Sequence, residues 1–590
     1  MRPRVSSAFL EGLLYVLTAF GLFAFGAVEP WSRAVLELLA FGLALACVLR
    51  GSAELPPAAA SFWLFPAAAV ALGLIQLQQF VPADGPRPLA PFTTSPRATD
   101  SAILLWAAYA AVLWSVPQII RTHGTARRYV RVVFGLGVAL AAVGLLQQAT
   151  GNHEIYWLRD AAEAFPFGPY YNRDHAANVL LMSAIVCVGI FFSKPGLAGR
   201  GRRFVAGGFI LLVAGVVVCG SRGALFAALL SAAALALFGA GFESKKRERR
   251  LRAAAALAAA AAVVFLGIQY ASSTADAGAL VERSVMGRLS IYGDAWRWWR
   301  DAPVFGTGLG SFQTVYPSYQ DLELRALVAH AHCDWLEILL EAGALGELLA
   351  LAAAATAAFA AVRAWRSARS TEMRALIGGA LAAVAAFAAH ALVDFVFQIP
   401  GNAVMLAGLV GFLLSAPAWM DKSTVRERPH PPSTPAVLLA AAGFLVLALA
   451  AVKPAAAARL AGAAGDAAER AERLVKAYGL DPDPAYLKSL AELCARKEDA
   501  GGADGLKARR AGLGYAEAAV SFLPFDTEAL ELAGGALWRL GRAPDAEALL
   551  NDAASVRFPA FKPVGFDTAA DAQAKRQRLE ALRALAGSKP

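Results

Sequence analysis

The chain has 590 residues, 58% of them hydrophobic and 17% charged, with a mean hydropathy of +0.50 and a formal net charge of +10. That apolar share exceeds what a soluble globular protein carries, so composition excludes a soluble enzyme and predicts a polytopic membrane protein. The expected fold class is all-α, a transmembrane helical bundle followed by a soluble helical-repeat domain.

About thirteen stretches are long enough to span roughly 30 Å of hydrocarbon, which takes roughly 17 to 25 apolar residues. They lie near 8–28, 34–50, 61–81, 101–120, 129–149, 174–192, 204–220, 223–241, 252–270, 337–362, 375–396, 402–420 and 436–452. The first follows Arg2 and Arg4 but shows no small-x-small site before a polar start, so it is expected to remain as an uncleaved span. Basic loops resist translocation, and the clusters "RTHGTARRYVR", "KPGLAGRGRR", "ESKKRERRLR" and "VRAWRSARS" all fall on one side if the N-terminus is inside. The odd number of spans then puts the C-terminal tail outside. The positive charge is therefore topological, and nucleic acid is not the expected partner. Cys47, Cys187 and Cys219 fall inside spans as small packing residues. Cys333 and Cys494 fall on the outer side, where a disulfide is chemically possible, but no spacing sets their separation.

Residues 1–453 thus form the expected membrane domain. Over 455–570 the apolar residues take helical spacing with regular charge, which predicts a soluble domain outside the membrane. "AAVSFLP" (518–524) and "AASVRFP" (553–559) lie 35 residues apart, each ending in Pro. Between them Gly534, Ala546, Leu550 and Ala553 occupy the small and apolar places of a unit resembling a tetratricopeptide repeat, whose period is about 34 residues; a plain helical hairpin bundle is the alternative. Residues 571–590 read as a charged tail.

The outer face holds the informative polar residues. The turn "GSRGAL" puts Arg222 at the outer surface, either as a snorkelling anchor or as a functional cation. The largest outer loop, about 271–336, contains "VMGRLSIYGDAWRWWRDAPVFGTGLGSF", in which Leu289, Tyr292, Trp296 and Trp299 share a helix face with Arg288, Arg297 and Arg300 nearby. Such a face suits a helix lying in the membrane interface. Gly306, Gly308 and Gly310 lack the Lys-Ser/Thr of a nucleotide loop and are expected to form a turn of close backbone approach. His330, His332 and Asp334 in "LVAHAHCDWLEILLEAGALGE" match the opening of a His-x-His-x-Asp-His metal pattern, but the next residue is Trp335 and no recognisable partner pair exists among the remaining histidines. No metal and no cofactor is expected. A helix cap suits Asp334 but leaves two histidines unexplained.

Five segments in order resemble the O-antigen ligase and polymerase superfamily. "AHCDWLEILLEAGALG" is similar to its "AHNDYLELLAELGLLG", and "GRLSIYGDAWRWWRDAPVFGTGLGSF" to its "R...W..A......P..G.GLGSF". "FGPYYNRDHAANVLLM" resembles "F.NRNHFAGYLLM", "GSRGAL" the family's Ser-Arg-Gly turn, and "AHALVDFVFQIPGNA" (389–403) its "HSLVDFNL.IPANA". The resemblance covers roughly 8–420, and every matched segment falls at the expected outer face.

The resemblance implies an inner-membrane enzyme that transfers a glycan from an undecaprenyl diphosphate donor to an acceptor hydroxyl on the periplasmic side. On that basis Arg222 and Arg288 hold the donor diphosphate, His332 takes the proton of the attacking hydroxyl, and single displacement inverts the anomeric carbon. Arg173 and Asn172 are candidate sugar or phosphate contacts, with His330 and Asp334 supporting. The family's Asn after the histidine is Cys333 here, and the second Asn of its "NRN" is Asp174, so Arg173 has an anion beside it with which to pair. The acceptor is lipid A core for a ligase, a growing lipid-linked glycan for a polymerase, or a Ser or Thr hydroxyl for a protein O-oligosaccharyltransferase. Membrane lipids surround the bundle, and the repeat domain is a surface for a protein partner. A noncatalytic scaffold or a transporter in polysaccharide export is the reading from a different class; inverted repeats and broken, charged spans of the transporter kind are not evident.

Overall fold

The computed structural model describes residues 5–51, 55–81, 87–151, 154–161, 165–193, 200–239, 277–320, 328–420, 432–463, 465–497, 502–523 and 526–555. Among them the regular structure is helical, with only isolated β-bridges beside it. The membrane part comprises α1 (Ser7–Phe23), α2 (Pro30–Arg50), α3 and α4 (Pro57–Phe62 and Leu64–Gln76), α5 (Pro96–Ile119), α6 (His123–Ala149), α7 (Arg173–Ser193), α8 (Arg200–Cys219), α9 (Arg222–Gly239), α10 (Ala277–Asp301), α11 (Phe312–Val315), α12 (Asp334–Ser367), α13 (Thr371–His390), α14 (Pro400–Met420) and α15 (Thr434–Gly462). Ten helices among the described residues are long and apolar enough to cross a membrane, and Ser7–Phe23 and Arg222–Ala232 are apolar but shorter. The expected span at 252–270 lies outside the described residues.

Local chemistry sets where these helices begin. Ser6, Thr122, Ser370 and Ser433 each accept a backbone N–H of the first turn that follows, supplying partners for amides that a helix leaves unpaired. α7 and α14 are apolar on all sides and buried nearly all round, which makes them the centre of the bundle, with α13 packed between α7 and α9. Small residues let α7 and α13 approach closely. A Cβ on Gly379 would come within 2.8 Å of Gly189 Cα, and one on Gly189 within 2.8 Å of Ala375 O.

At one end of the bundle Arg127 pairs with Glu372 (2.5 Å) and Arg128 with Glu11 (2.8 Å). The other end gathers the starts of α5, α7, α9, α12 and α14 and the end of α13. The helices after α15 attach at that second end. α15 continues through Pro454 to Gly462, beyond the expected domain edge at 453, and leads into α16 (Ala467–Leu480), α17 (Pro484–Lys497), α18 (Gly502–Phe522), α19 (Thr527–Arg539) and α20 (Ala543–Ser555), each packed on the next. Gly534 meets Leu550 in the last hairpin, with Ala546 buried beside them. The tail at 571–590 and the segment "AASVRFP" beyond Ser555 fall outside the described residues. Arg97, at the start of α5, grips both carboxylate oxygens of Asp481 at 2.7 Å and reaches Asp483 at 3.0 Å, while Phe80 meets Phe522 with ring centroids 6.2 Å apart.

Gly379→Ala is expected to push α7 from α13 and cost roughly 1–3 kcal/mol through overpacking. Gly135→Ala, where a new Cβ meets nothing within 4 Å, is expected to cost none of this. Thermal midpoints of the purified full-length variants in detergent check the contrast; equal midpoints would show that the close approach is not limiting.

Candidate active site

The start of α12 is tied to the connector between α13 and α14. The Asp334 amide donates to Ala391 O (2.9 Å) and Asp394 O (3.3 Å), and Asp334 Oδ2 accepts the Phe397 N–H at 2.8 Å. Cys333 holds the cap position without a side-chain bond, so these connector carbonyls do what a capping side chain otherwise does. Glu337 reaches back to take the Ala331 N–H at 2.9 Å and lies 2.9 Å from His330 Nδ1. Between these anchors His332 adopts a left-handed backbone with φ of 51°, a conformation costly for any residue with a Cβ and one concentrated at functional sites.

The turn brings His332 Nδ1 to 3.6 Å from Asp394 Oδ1, while His390 Nε2 lies 3.7 Å from Asp394 Oδ2. The Asp394 side chain is 3% exposed and that of His332 36%, so a buried carboxylate stands behind a reachable imidazole. Asp394 Oδ1 also accepts the Phe395 N–H at 2.9 Å. The Phe395 ring is the common wall: His330 stacks on it at 4.4 Å, and His175 and His332 meet it edge-on at 4.7 and 5.0 Å. Burial by itself raises the Asp394 pKa, but His332, His175 and His390 outweigh it and hold the carboxyl below its ordinary range. Burial pushes the Cys333 thiol up, and no disulfide joins Cys333 to Cys494.

The Ser-Arg-Gly turn packs against this centre. Ser221 hydrogen-bonds Asp174, a Cβ on Gly223 would stand 2.7 Å from His390 Nε2, and Arg222 between them is exposed. On α10, Arg288 lies close enough to act on the charge of both His390 and Tyr292, and the Tyr292 hydroxyl donates to His332 O at 3.3 Å. Arg173 lies over the Phe165 ring at 5.0 Å. Asp174 hydrogen-bonds Ser221, and the charge of Arg173 also acts on it. Asn172 Oδ1 accepts the Asp174 N–H at 2.8 Å and starts α7. Among the described residues no carboxylate pairs with Arg173, Arg222 or Arg288.

The glycine segment braces the site from outside. Gly306, Gly308 and Gly310 all have positive φ, and Cβ atoms there would strike Glu341, Thr93 and Ala98. Glu341 accepts the Gly310 and Phe312 N–H groups at 2.8 and 2.9 Å, and Gln76 bonds Phe305 O, Glu341 O and the Leu309 N–H. On α10, Ile291, Ala295 and Trp298 are buried, whereas Leu289 and Trp296 are exposed, so the apolar outer face is left for a surrounding apolar phase.

His332, His330, Arg222, Arg288, Arg173, Asn172 and Asp334 thus lie around one end of the bundle. Asp334 is buried, with an oxygen committed to Phe397. Asp394, His390, Phe395 and Glu337 are the members that motif inspection passed over. The available signal was in "HALVD", where His390 and Asp394 stand four residues apart at a helix end.

The depressed Asp394 pKa carries a pH consequence. Its folded-state pKa lies below the unfolded value, so its contribution to stability is complete above the ordinary carboxylate pKa of about 4 and is lost as pH falls below it. Asp394→Asn is expected to flatten the acid limb of the thermal midpoint against pH, measured on detergent-purified protein. An acid limb as steep as that of the unsubstituted chain would assign it to other carboxylates.

No curated protein matches the chain. Residues 207–351, which run from within α8 past Arg222 and Arg288 to His330, His332 and Asp334 on α12, match the family model described as O-antigen ligase, and together with the apolar helices this match supports a multi-pass membrane protein with a glycan-transfer role.

Proposed function

We propose that the chain is a glycosyltransferase that moves a glycan from an undecaprenyl diphosphate donor to an acceptor hydroxyl at the outer face of the membrane. The observation that carries this is His332 backed by buried Asp394, with Arg222 and Arg288 at the same end of the bundle and no carboxylate pairing with either among the described residues. Cations left unpaired at a membrane surface are placed to receive an anion, and the planar guanidinium matches phosphate oxygens through paired, charge-assisted hydrogen bonds. His332 Nδ1 faces Asp394, which leaves Nε2 as the atom offered to substrate.

In the proposed step Nε2 takes the proton of the acceptor hydroxyl as its oxygen bonds the anomeric carbon. The bond from that carbon to the diphosphate oxygen breaks, and its electron pair leaves with the diphosphate, whose growing charge Arg222 and Arg288 neutralise. Asp394 stays ionised throughout and stabilises the imidazolium, which later gives its proton to water. Attack opposite the leaving group inverts the anomeric carbon. Arg173, held on the rim over Phe165, is suited to a second contact with phosphate or sugar. His330, tied to Glu337 and stacked on Phe395, supports His332.

A ligase, a polymerase of lipid-linked repeats and a protein-glycosylating enzyme share this donor chemistry and differ in the acceptor. The ligase is favoured by the family match. The helices after α15, read as a tetratricopeptide-like domain on the periplasmic side, are tied through Arg97 to the same end of the bundle, where they are suited to guiding an acceptor or partner protein.

His332→Ala is expected to lower transfer by roughly 10²–10⁴-fold, the usual share of a general base. Normal product from a variant of normal membrane abundance would remove His332 from the mechanism. Arg222→Lys and Arg288→Lys keep the charge but lose the fork, and a drop in transfer with unchanged abundance is expected for each. Profiling lipid-linked glycan after deletion of the gene separates the acceptors: long unattached chains indicate a ligase, and single repeats indicate a polymerase.

A further inference from the structure

The polar contacts behind Asp394 continue into the centre of the bundle, and each constrains the next. Asn402, at the start of α14, donates from Nδ2 to His175 O at 3.0 Å and accepts the Tyr170 hydroxyl on Oδ1 at 2.9 Å. A backbone carbonyl can only accept, so this amide has one orientation. Its Nδ2 also lies 3.5 Å from Asn178 Oδ1, which turns the Asn178 amide nitrogen toward His390 Nδ1 at 3.2 Å. An amide N–H can only donate, so His390 Nδ1 accepts, and the ring proton of neutral His390 sits on Nε2, facing Asp394 Oδ2.

Tyr170, Asn178, His390 and Asn402 are each at most 2% exposed, so water does not compete for these bonds. Gly223 packs against the edge of the His390 ring, where a Cβ would stand 2.7 Å from Nε2. The opposite tautomer would set two donors against each other at Nδ1, one unmade bond in a dry site, and would turn a lone pair toward the Asp394 carboxylate 3.7 Å from Nε2.

We infer that Tyr170, Asn402 and Asn178 form a directional hydrogen-bond chain that fixes the His390 tautomer, so that its Nε2–H is turned toward Asp394 Oδ2 3.7 Å away and steadies by charge the carboxylate that faces His332. The four are positioning residues. The consequence for transfer rests on the function proposed above, whereas the tautomer does not. The charged groups facing His390 are Asp394, Asp174 and Arg288, and His175 and His332 also face Asp394.

The test uses the full chain, labelled with ¹⁵N-histidine and placed in lipid nanodiscs, with a His390→Gln variant to identify the His390 signals. The expected spectrum shows His390 protonated on Nε2 and not on Nδ1; the reverse tautomer overturns the inference without any assay of activity. Asn178→Asp keeps the shape but replaces the donor by an acceptor, and Asn178→Ala only removes the donor. With both variants at normal abundance, Asp is expected to reduce transfer of the cell's lipid-linked glycan roughly tenfold or more, to move its pH profile, and to be worse than Ala. A purely structural role predicts that the isosteric Asp is the milder change, and that order, or an unmoved profile in Asn178→Asp, also overturns the chain. Should His390 show the expected tautomer while His332→Ala transfers normally, the chain stands and the proposed reaction fails.

Discussion

A carboxylate buried among helices is stable only if charge and hydrogen bonds replace the water it has lost, and Asp394 meets that condition through histidines drawn from different parts of the fold. His175 comes from the first turn of α7, His332 from the turn before α12, and His390 from the last turn of α13. Each acts on the charge of the same connector residue, so three helices meet electrostatically at one side chain. Phe395, the next residue, gives the rings a common apolar surface and keeps them from collapsing onto each other. A geometry of this kind separates the two oxygens of Asp394: one is turned to an exposed imidazole, the other to a wholly buried one.

The remainder of this end of the bundle follows from holding that connector still. Asp334 bonds it from α12, the Ser-Arg-Gly turn packs against His390, and Asn402 locks the start of α14 to α7. The glycine segment, Gln76 and Glu341 then fasten the loop after α10 to α12. Three arginines stand outside this framework with no carboxylate of their own among the described residues, although carboxylates are plentiful nearby. Asp394, Asp174, Glu337 and Glu341 are all engaged by other groups, which leaves the guanidinium groups as the anion-receptive part of the surface.

Much of the bundle was legible because apolar length is a local property: a run of residues either can or cannot satisfy the bilayer by itself. Asp334 was visible as a residue of the first turn, but its bonding to Phe397 was not, since that partner lies 63 residues away in sequence. Asp394 lies in the 389–403 segment, yet nothing local distinguishes an aspartate that faces three histidines from one that faces solvent. The anion expected beside Arg173 is there, since the Arg173 charge acts on Asp174, but the other contacts of the two were not legible. Adjacent residues on a helix point in different directions, so Asp174 meets Ser221 while Arg173 covers Phe165.

What the sequence by itself determined was membrane class, helical architecture and the side on which polar motifs gather, since these depend on composition and on periodicity within single segments. The glycines Gly306, Gly308 and Gly310 were likewise marked as a turn by residue type alone. Only tertiary structure decided which polar groups share a centre, which arginines have no carboxylate partner among the described residues, and which way the amides of Asn178 and Asn402 point. Those outcomes depend on distances between segments far apart in the chain, and on the exclusion of water between them, neither of which any one segment encodes.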